Sequence, residues 1–216
     1  MFTRQLLVSL LFGLLCVTAR AALVTYDSEA GFSAIAAPQT RYDFEQASGF
    51  PAGDYDPNLS WIGEFDGIIF DATVIAPNQT PTSGSQAMTG AGGSYTSANL
   101  DFSGSGRRIT GFGFQGLDLV AGEWIRVSAS FRDAGSRIFD IALAPGQTEL
   151  TPVFFGAHDA NDALLGLSIS GLDEAGSRAW YIDDLRLVSA VPLPPALPLL
   201  LGGLLLMGSR FRRATR

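Results

Sequence analysis

The sequence contains no lysine, one cysteine and one histidine among its 216 residues. A zinc site needs several histidine or cysteine ligands, so a lone Cys16 and a lone His158 exclude that kind of metal centre. The glycine motifs that cradle phosphates or dinucleotides are also missing. These absences leave few routes to metal-assisted or nucleotide-dependent chemistry.

Nucleophilic catalysis is poorly supported as well. A catalytic serine needs a histidine base and an acid that orients the base. His158 precedes Asp159 in "GAHDAND", but no nucleophile-elbow pattern is present, and Ser168 and Ser170 fall inside a predicted strand. We therefore predict that His158 lies in a solvated turn and that the chain has no catalytic residue.

The charge is unevenly distributed. Of the 14 arginines, eight lie within residues 22–189, and all 21 acids lie between Asp27 and Asp184. Eight positive charges against 21 negative ones give this segment a net charge of −13. This charge disfavours nucleic acid and anionic membrane surfaces as partners of the domain. The charge suits divalent cations or neutral sugars, and it also serves simple solubility outside the cell.

Residues 1–21 have the features of a secretory signal peptide. Arg4 gives the basic start, residues 6–17 are apolar, and "ARA" supplies a small-residue cleavage site at Ala21. Leu15 stands where a lipoprotein signal needs a small residue, which disfavours lipidation of Cys16. Cleavage removes the only cysteine, so the exported domain has no disulfide although its compartment permits one.

The other end, residues 190–216, consists of prolines, then leucines, then arginines. As a helix, residues 196–209 would span roughly 21 Å, against a hydrocarbon core of about 30 Å. The segment is therefore a marginal membrane span, and its arginines are expected to stay cytoplasmic. Two alternatives remain open: a permanent anchor, or a sorting signal that is removed.

This tail resembles the signals of PEP-CTERM proteins, a class of bacterial surface proteins, and in particular the variant written VPLPA. The matching segment is Val191, Pro192, Leu193, Pro194, Pro195 and Ala196, with Pro195 where the variant usually has alanine. The resemblance implies cutting near the motif by an exosortase, in Gram-negative bacteria that make exopolysaccharide. It further implies transient anchoring in the inner membrane and delivery to the cell surface or extracellular matrix.

The segment between the two signals, residues 22–189, has the length of one domain. Its short alternating apolar runs, separated by turn residues, predict an all-β antiparallel β-sandwich that is jelly-roll-like. One short N-terminal helix, capped by Ser28, should precede the strands, with Phe32, Ile35 and Ala36 on its buried face. Residues 49–59 and 76–95 are expected to form polar loops. Predicted strands cover residues 42–46, 67–76, 108–115, 123–131, 137–143, 151–156, 163–170 and 179–188.

Two short motifs, "YDFEQ" near the start and "WYIDDLRL" near the end, resemble the first and last strands of jelly-roll carbohydrate-binding modules. That resemblance implies a structural calcium ion held by Glu45 and Asp183, with Asp43 or Asp184 next. Regular alternation would turn only one of the two neighbouring aspartates inward. The alternative is that Asp183 pairs with an arginine such as Arg41, or ends its strand in water.

Alternation indicates that Asp183 shares the apolar face of the last strand with Tyr181, Leu185 and Leu187. An uncompensated carboxylate on that face would be costly, and a metal ion would account for it.

Aromatic residues and acids could also form a binding or catalytic surface. Trp124 should face outward or toward a second layer, and Trp61, Tyr55 and Tyr95 lie in or beside loops. Flat rings suit sugar stacking, but rings that cover the ends of the core are the favoured alternative. The acids that could serve glycoside hydrolysis are expected to be merely solvated; they are Asp54, Asp56, Asp159 and Asp162.

Together these features predict an exported surface or matrix protein with a structural or adhesive role in exopolysaccharide. A carbohydrate-binding module is the second hypothesis, and a glycoside hydrolase is the third.

Overall fold

The computed structural model describes residues 22–35, 37–45, 61–77, 82, 84, 86–90 and 97–190. The predicted signal peptide, the sorting motif 191–196, the apolar span and the predicted loop 49–59 lie outside these residues. So do Tyr55, Tyr95, Asp54 and Asp56, and the side chain of Trp61.

The described chain contains one short helix and thirteen strands. In chain order they are β1 (Val24–Tyr26), α1 (Glu29–Ser33), β2 (Gln39–Tyr42), β3 (Trp61–Phe65), β4 (Ile68–Pro77), β5 (Gln86–Gly90), β6 (Ala98–Asp101), β7 (Ile109–Leu117), β8 (Trp124–Phe131), β9 (Gly135–Ala142), β10 (Val153–His158), β11 (Leu164–Asp173), β12 (Gly176–Arg178) and β13 (Tyr181–Ser189).

All strand pairs are antiparallel, and the strands build a two-sheet sandwich. The main path runs β1-β10-β7-β13-β5-β4-β6-β11-β8-β9, with β2 beside β13, β3 beside β4 and β12 beside β11. The two sheets join where Ile182 of β13 lies opposite Met88 of β5. The predicted all-β antiparallel sandwich with one short helix is confirmed.

The predicted helix is present, but it follows β1 and ends at Ser33, before Ile35, and Ala36 lies outside the described residues. The Ser28 side chain caps its start by accepting a hydrogen bond from the Gly31 N–H at 3.4 Å. Phe32 is fully buried, edge-to-face with Tyr26 and in contact with Phe154. A Cβ at Gly156 would lie 2.5 Å from the Phe32 ring, so the helix docks where the sheet carries a glycine.

Strand β8 shows the predicted alternation. Its residues Ile125, Val127, Ala129 and Phe131 are buried, whereas Trp124 and the intervening polar residues are partly or fully exposed. Burying one such aliphatic or aromatic side chain stabilises a fold by about 1.5–3 kcal/mol. The inward face of β8 therefore belongs to the main core, and Trp124 lies on the outer face.

Some predicted boundaries were wrong. The strand predicted at 42–46 ends at Tyr42, because Phe44 adopts a left-handed backbone with a φ of 59°. Strand β5 lies inside the predicted polar loop 76–95, and it contributes the buried Met88. Strands β1, β3, β6 and β12 were not predicted, since each is only three to five residues long.

Candidate functional site

The two motifs that suggested a calcium site are neighbours in the fold. Strand β2 pairs with β13, with Arg41 opposite Arg186 and Tyr42 opposite Leu185. This pairing brings the start of "YDFEQ", at Tyr42, beside the two aspartates of "WYIDDLRL". Four acids there, which we call the carboxylate cluster, belong to the two motifs: Asp43, Glu45, Asp183 and Asp184.

The alternation predicted for β13 holds at the buried Leu185 and Leu187 but not at Tyr181. Asp184 adopts a φ of 53°, and the register with β7 shifts between Asp183 and Arg186. This bulge adds a residue to the strand and reverses the alternation beyond it. Ile182, rather than the half-buried Tyr181, therefore lies in the core with Leu185 and Leu187.

Asp183 is fully buried, and hydrogen bonds compensate its carboxylate. Its Oδ2 accepts from the backbone N–H and the hydroxyl of Thr82, both at 2.9 Å. Its Oδ1 accepts from the Asp184 N–H at 2.6 Å. Three donors of this kind can hold a buried carboxylate, so its position does not in itself require a metal ion.

Asp184 takes the arginine partner that was considered for Asp183. The Arg41 guanidinium donates to Asp184 Oδ1 from Nε at 2.7 Å and from Nη2 at 2.5 Å. Asp184 is 5% exposed. Its hydrogen bond is the main reason that the pKa of Arg41 is raised, with smaller contributions from Asp183 and Asp43. The hydroxyl of Thr82 also reaches Asp184 Oδ2, at 3.2 Å.

The remaining two acids of the cluster lie at the end of β2. Asp43 Oδ1 accepts from the Glu45 N–H at 3.2 Å. The Glu45 carboxylate packs against Gly84, where an added Cβ would fall 2.2 Å from the carboxyl carbon. The two acids from β13 contact Thr82, and Glu45 contacts Gly84 two residues later. The structure thus brings three of the predicted ligands against one short segment.

Calcium prefers carboxylate, carbonyl and hydroxyl oxygens, and the cluster with Thr82 offers donors of that kind. In the described ranges, however, no three acid, histidine or cysteine side chains are grouped as a metal site. Thr82 and Arg41 already donate to the oxygens of Asp183 and Asp184. The donor chemistry suits calcium, and binding of the ion stays a prediction.

A second candidate site lies over the outer face of β8. It is an open cleft of about 410 Å³, lined among others by Trp124, Glu123, Gln147, Glu149 and Glu174. We call it the tryptophan cleft. Two loops form its walls, residues 118–123 between β7 and β8 and residues 143–152 between β9 and β10. Trp124 faces this cleft because alternation along β8 turns it away from the core.

Hydrogen bonds tie the two loops together. The Leu150 N–H donates to the Leu119 carbonyl at 2.9 Å, and the Ala121 N–H donates to Glu149 Oε1 at 3.2 Å. Leu150 also adopts a φ of 63°, a conformation that is costly for a side-chain-bearing residue unless its surroundings impose it. The cleft is thus a preformed feature of the sandwich.

The polar groups of the cleft differ from those of the carboxylate cluster. The Trp124 indole N–H is buried and has no hydrogen-bond acceptor in the described part of the chain. Glu123 is half-buried, whereas Glu149 and Glu174 are exposed. The described residues that line the cleft include these acids but no arginine or histidine. Sequence reasoning placed Trp124 on the outer face, but the loop glutamates carried no signal that they would meet there.

His158 and the nearby acids also depart from the predictions. His158 ends β10, opposite Gly111 and Val24, and is half-buried rather than solvated in a turn. Burial lowers its pKa, and the charge of Asp159 offsets part of that change. Asp159 and Asp162, predicted to be solvated, are 9% and 5% exposed.

Backbone N–H groups account for the burial of Asp162. Its carboxylate accepts from Asp133, Ala134 and Ala163 at 2.7–3.1 Å. Burial alone would raise the pKa of Asp162, but these N–H groups outweigh it and hold the pKa below its ordinary value. Asp162 is therefore a structural acid of its loop.

No protein-family profile and no curated protein matches the chain. Among solved structures, it is similar to a GH26-CBM35 β-(1,4)-mannanase of Podospora anserina, with 17% identity and a TM-score of 0.33. The match covers 82% of this chain and 29% of the mannanase. This similarity is too distant to assign a function.

No helix in the described ranges is long and apolar enough to cross a membrane.

Proposed function

We propose that this chain is an exported surface protein whose sandwich domain binds a saccharide without cleaving it. The tryptophan cleft carries the proposal. Its volume of about 410 Å³ falls within the roughly 300–1,000 Å³ typical of ligand pockets. An indole ring suits stacking against the C–H face of a sugar, and the surrounding acids and Gln147 suit its hydroxyl groups.

The arrangement of the cleft supports binding in one further way. The hydrogen bonds between the two loops fix the walls before a ligand arrives. A fixed wall lowers the entropy cost of binding.

A glycan array probed with the full chain tests this proposal. The chain should be kept in a detergent without a sugar head group, since a glycoside detergent could occupy the cleft. We expect binding to at least one glycan class, and its loss in Trp124→Leu, which keeps apolar bulk but removes the ring. Glu64→Gln, an exposed change outside the cleft, is the matched control. Equal binding by parent and Trp124→Leu would contradict the proposal.

Export and sorting form the second part of the proposal, and they rest on the two sequence ends. The VPLP segment should be cut by an exosortase, which would release the domain from its short apolar span. Mass spectrometry of surface material should find a C-terminus between Val191 and Ala196. An intact Arg216 on most surface molecules would instead indicate a permanent anchor.

A structural or adhesive role in exopolysaccharide follows from these two parts. A surface-sorted domain that binds a matrix saccharide would hold that matrix to the cell. The array separates this role from scaffolding by protein contacts alone. Absence of all glycan binding, together with matrix defects when the gene is deleted, would favour scaffolding.

The absence of catalysis is also part of the proposal. His158 is half-buried at the end of β10 and is not among the residues lining the tryptophan cleft. We expect no new reducing ends when the chain is incubated with polysaccharides. Hydrolysis that His158→Ala abolishes without unfolding the protein would make the chain an enzyme.

We also propose a structural calcium ion at Glu45 and Asp183, with Asp43 or Asp184. The ion would strengthen the junction between the end of β2 and β13. Convergence of three of these acids on the segment at Thr82 and Gly84 supports this proposal.

A further inference from the structure

We propose that the tryptophan cleft selects a cationic amino sugar over neutral and acidic sugars. This inference rests on the proposed saccharide binding and names its ligand class. It follows from the charge and the aromatic ring that the cleft combines.

The cleft carries negative charge, and no basic side chain among its described lining residues neutralises it. Glu123, Glu149 and Glu174 line it, and none of the described lining residues is basic. The arginine nearest in sequence on the same face of β8, Arg126, forms a two-pronged ion pair with Asp140 at 2.7 and 2.8 Å. Arg178 likewise pairs with Asp173, next to Glu174. Each of these arginines pairs with an acid outside the lining, so neither directly neutralises the three glutamates of the cleft.

Trp124 adds a second preference for a cation. The face of an indole ring attracts a positive charge within about 6 Å, and tryptophan does so best among the aromatic side chains. An ammonium group beside the ring could also donate hydrogen bonds to the carboxylates. A neutral sugar would gain only the stacking and the ordinary hydroxyl contacts.

The same features disfavour two other sugar classes. A uronic acid would place a carboxylate among three glutamates, and repulsion would weaken its binding. An N-acetylated amino sugar keeps the ring and hydroxyls of its amine parent but loses the positive charge. This matched pair of sugars isolates the effect of charge.

The test compares soluble β-linked glucosamine oligosaccharides with the same oligosaccharides after full N-acetylation. Calorimetric titration should use the full chain in a detergent without a sugar head group, at a pH where the amine is protonated. We expect the amine form to bind about tenfold more tightly, because a cation–π contact typically contributes a free energy that corresponds to about this change in affinity. Added salt should reduce the difference in affinity between the amine and the acetylated forms, because the cleft is open to solvent.

Two variants test whether the preference for the amine form arises from the cleft residues. The triple variant Glu123→Gln, Glu149→Gln and Glu174→Gln keeps the acceptor that the Ala121 N–H needs, and it should bind both forms equally. Trp124→Leu should bind neither detectably. Glu64→Gln should behave as the parent.

Equal affinity of the parent for the amine and acetylated forms would overturn this inference while leaving saccharide binding in place. Failure of both forms, and of every sugar on the array, would overturn both proposals. Preference for the amine that survives in the triple variant would also contradict the inference, since the charge effect would then lie outside the cleft.

Discussion

The carboxylate cluster and the tryptophan cleft use the same kind of side chain in opposite ways. In the cluster, Asp183 and Asp184 are buried, and their oxygens accept from Thr82 and Arg41. In the cleft, Glu149 and Glu174 are exposed, and Glu149 accepts one backbone hydrogen bond. The difference indicates that acids whose oxygens are satisfied by the chain stabilise the fold, whereas acids facing open space are available to a ligand.

The carboxylate cluster joins two distant parts of a domain that has no cysteine for a disulfide. The chain segments around β2 and β13 are far apart in sequence, and their strand pairing, the Arg41–Asp184 ion pair and the bonds of Thr82 join them. The cluster is therefore expected to stabilise the contact between β2 and β13, and substitutions in it should lower the free energy of unfolding. Damage to the cleft should cost binding instead.

The largest loss of stability is expected from Asp183→Asn. The amide has one acceptor oxygen, so a donor from Thr82 or Asp184 would face an NH₂ group in a fully buried place. We expect the free energy of unfolding to fall by about 3 kcal/mol, as for losing buried hydrogen bonds to a charged group. Urea unfolding followed by tryptophan fluorescence measures this change.

Asp140→Asn is the matched control, because Asp140 forms an exposed ion pair with Arg126. Exposed pairs contribute little, so its unfolding curve should nearly overlay that of the parent. Equal losses in the two variants would show that Asp183 has no special structural role.

The next effect in size concerns calcium. A ligand that binds only the folded state stabilises it by about 2.7 kcal/mol when present at 100-fold its Kd. We therefore expect the Tm to be higher in calcium than in chelator for the parent, with the difference lost in Asp183→Asn. Identical melting curves for the parent in both solutions would leave the cluster held by hydrogen bonds alone.

A smaller and pH-dependent effect is expected for Asp162. Its pKa in the folded protein lies below the ordinary value, so its contribution is complete above the unfolded pKa of about 3.9. That contribution is lost as the pH falls through the lower, folded pKa. At pH 7, Asp162→Asn should lower the free energy of unfolding by about 1–2 kcal/mol.

Urea titrations from pH 7 downward check this behaviour. The difference between parent and Asp162→Asn should shrink in the acid range and vanish once Asp162 is protonated in the folded state. A difference that stays constant across the range would mean that the charge of Asp162 is not what its loop requires.

The sequence predicted the parts of this fold that depend on local periodicity. The alternation of β8 and the Ser28-capped helix have their signal within a few residues. The phase of β13 could not be predicted, because the bulge at Asp184 depends on a left-handed residue and on pairing with distant strands. Very short strands such as β12 form because they pair with a neighbouring strand, here β11, and their own residue pattern does not predict them.

The candidate sites were predictable to different degrees. The carboxylate cluster was foreseen through the resemblance of two motifs, but the roles of Thr82 and Gly84 were not, since both lie in a stretch predicted as loop. The cleft was not foreseen, because Glu123, Glu149 and Glu174 come from three separate turns. The positions of these acids around Trp124 depend on the tertiary fold, which local sequence patterns do not predict.

The smallest expected change in stability, and the most direct test of the division between the two regions, comes from the triple cleft variant. Its free energy of unfolding should stay within about 0.5 kcal/mol of the parent, as is usual for surface substitutions. Its affinity for the glucosamine oligosaccharide, measured in the same preparation by calorimetric titration, should fall about tenfold. Unchanged affinity at unchanged stability would contradict the account, because the cleft acids would then serve neither the fold nor a ligand.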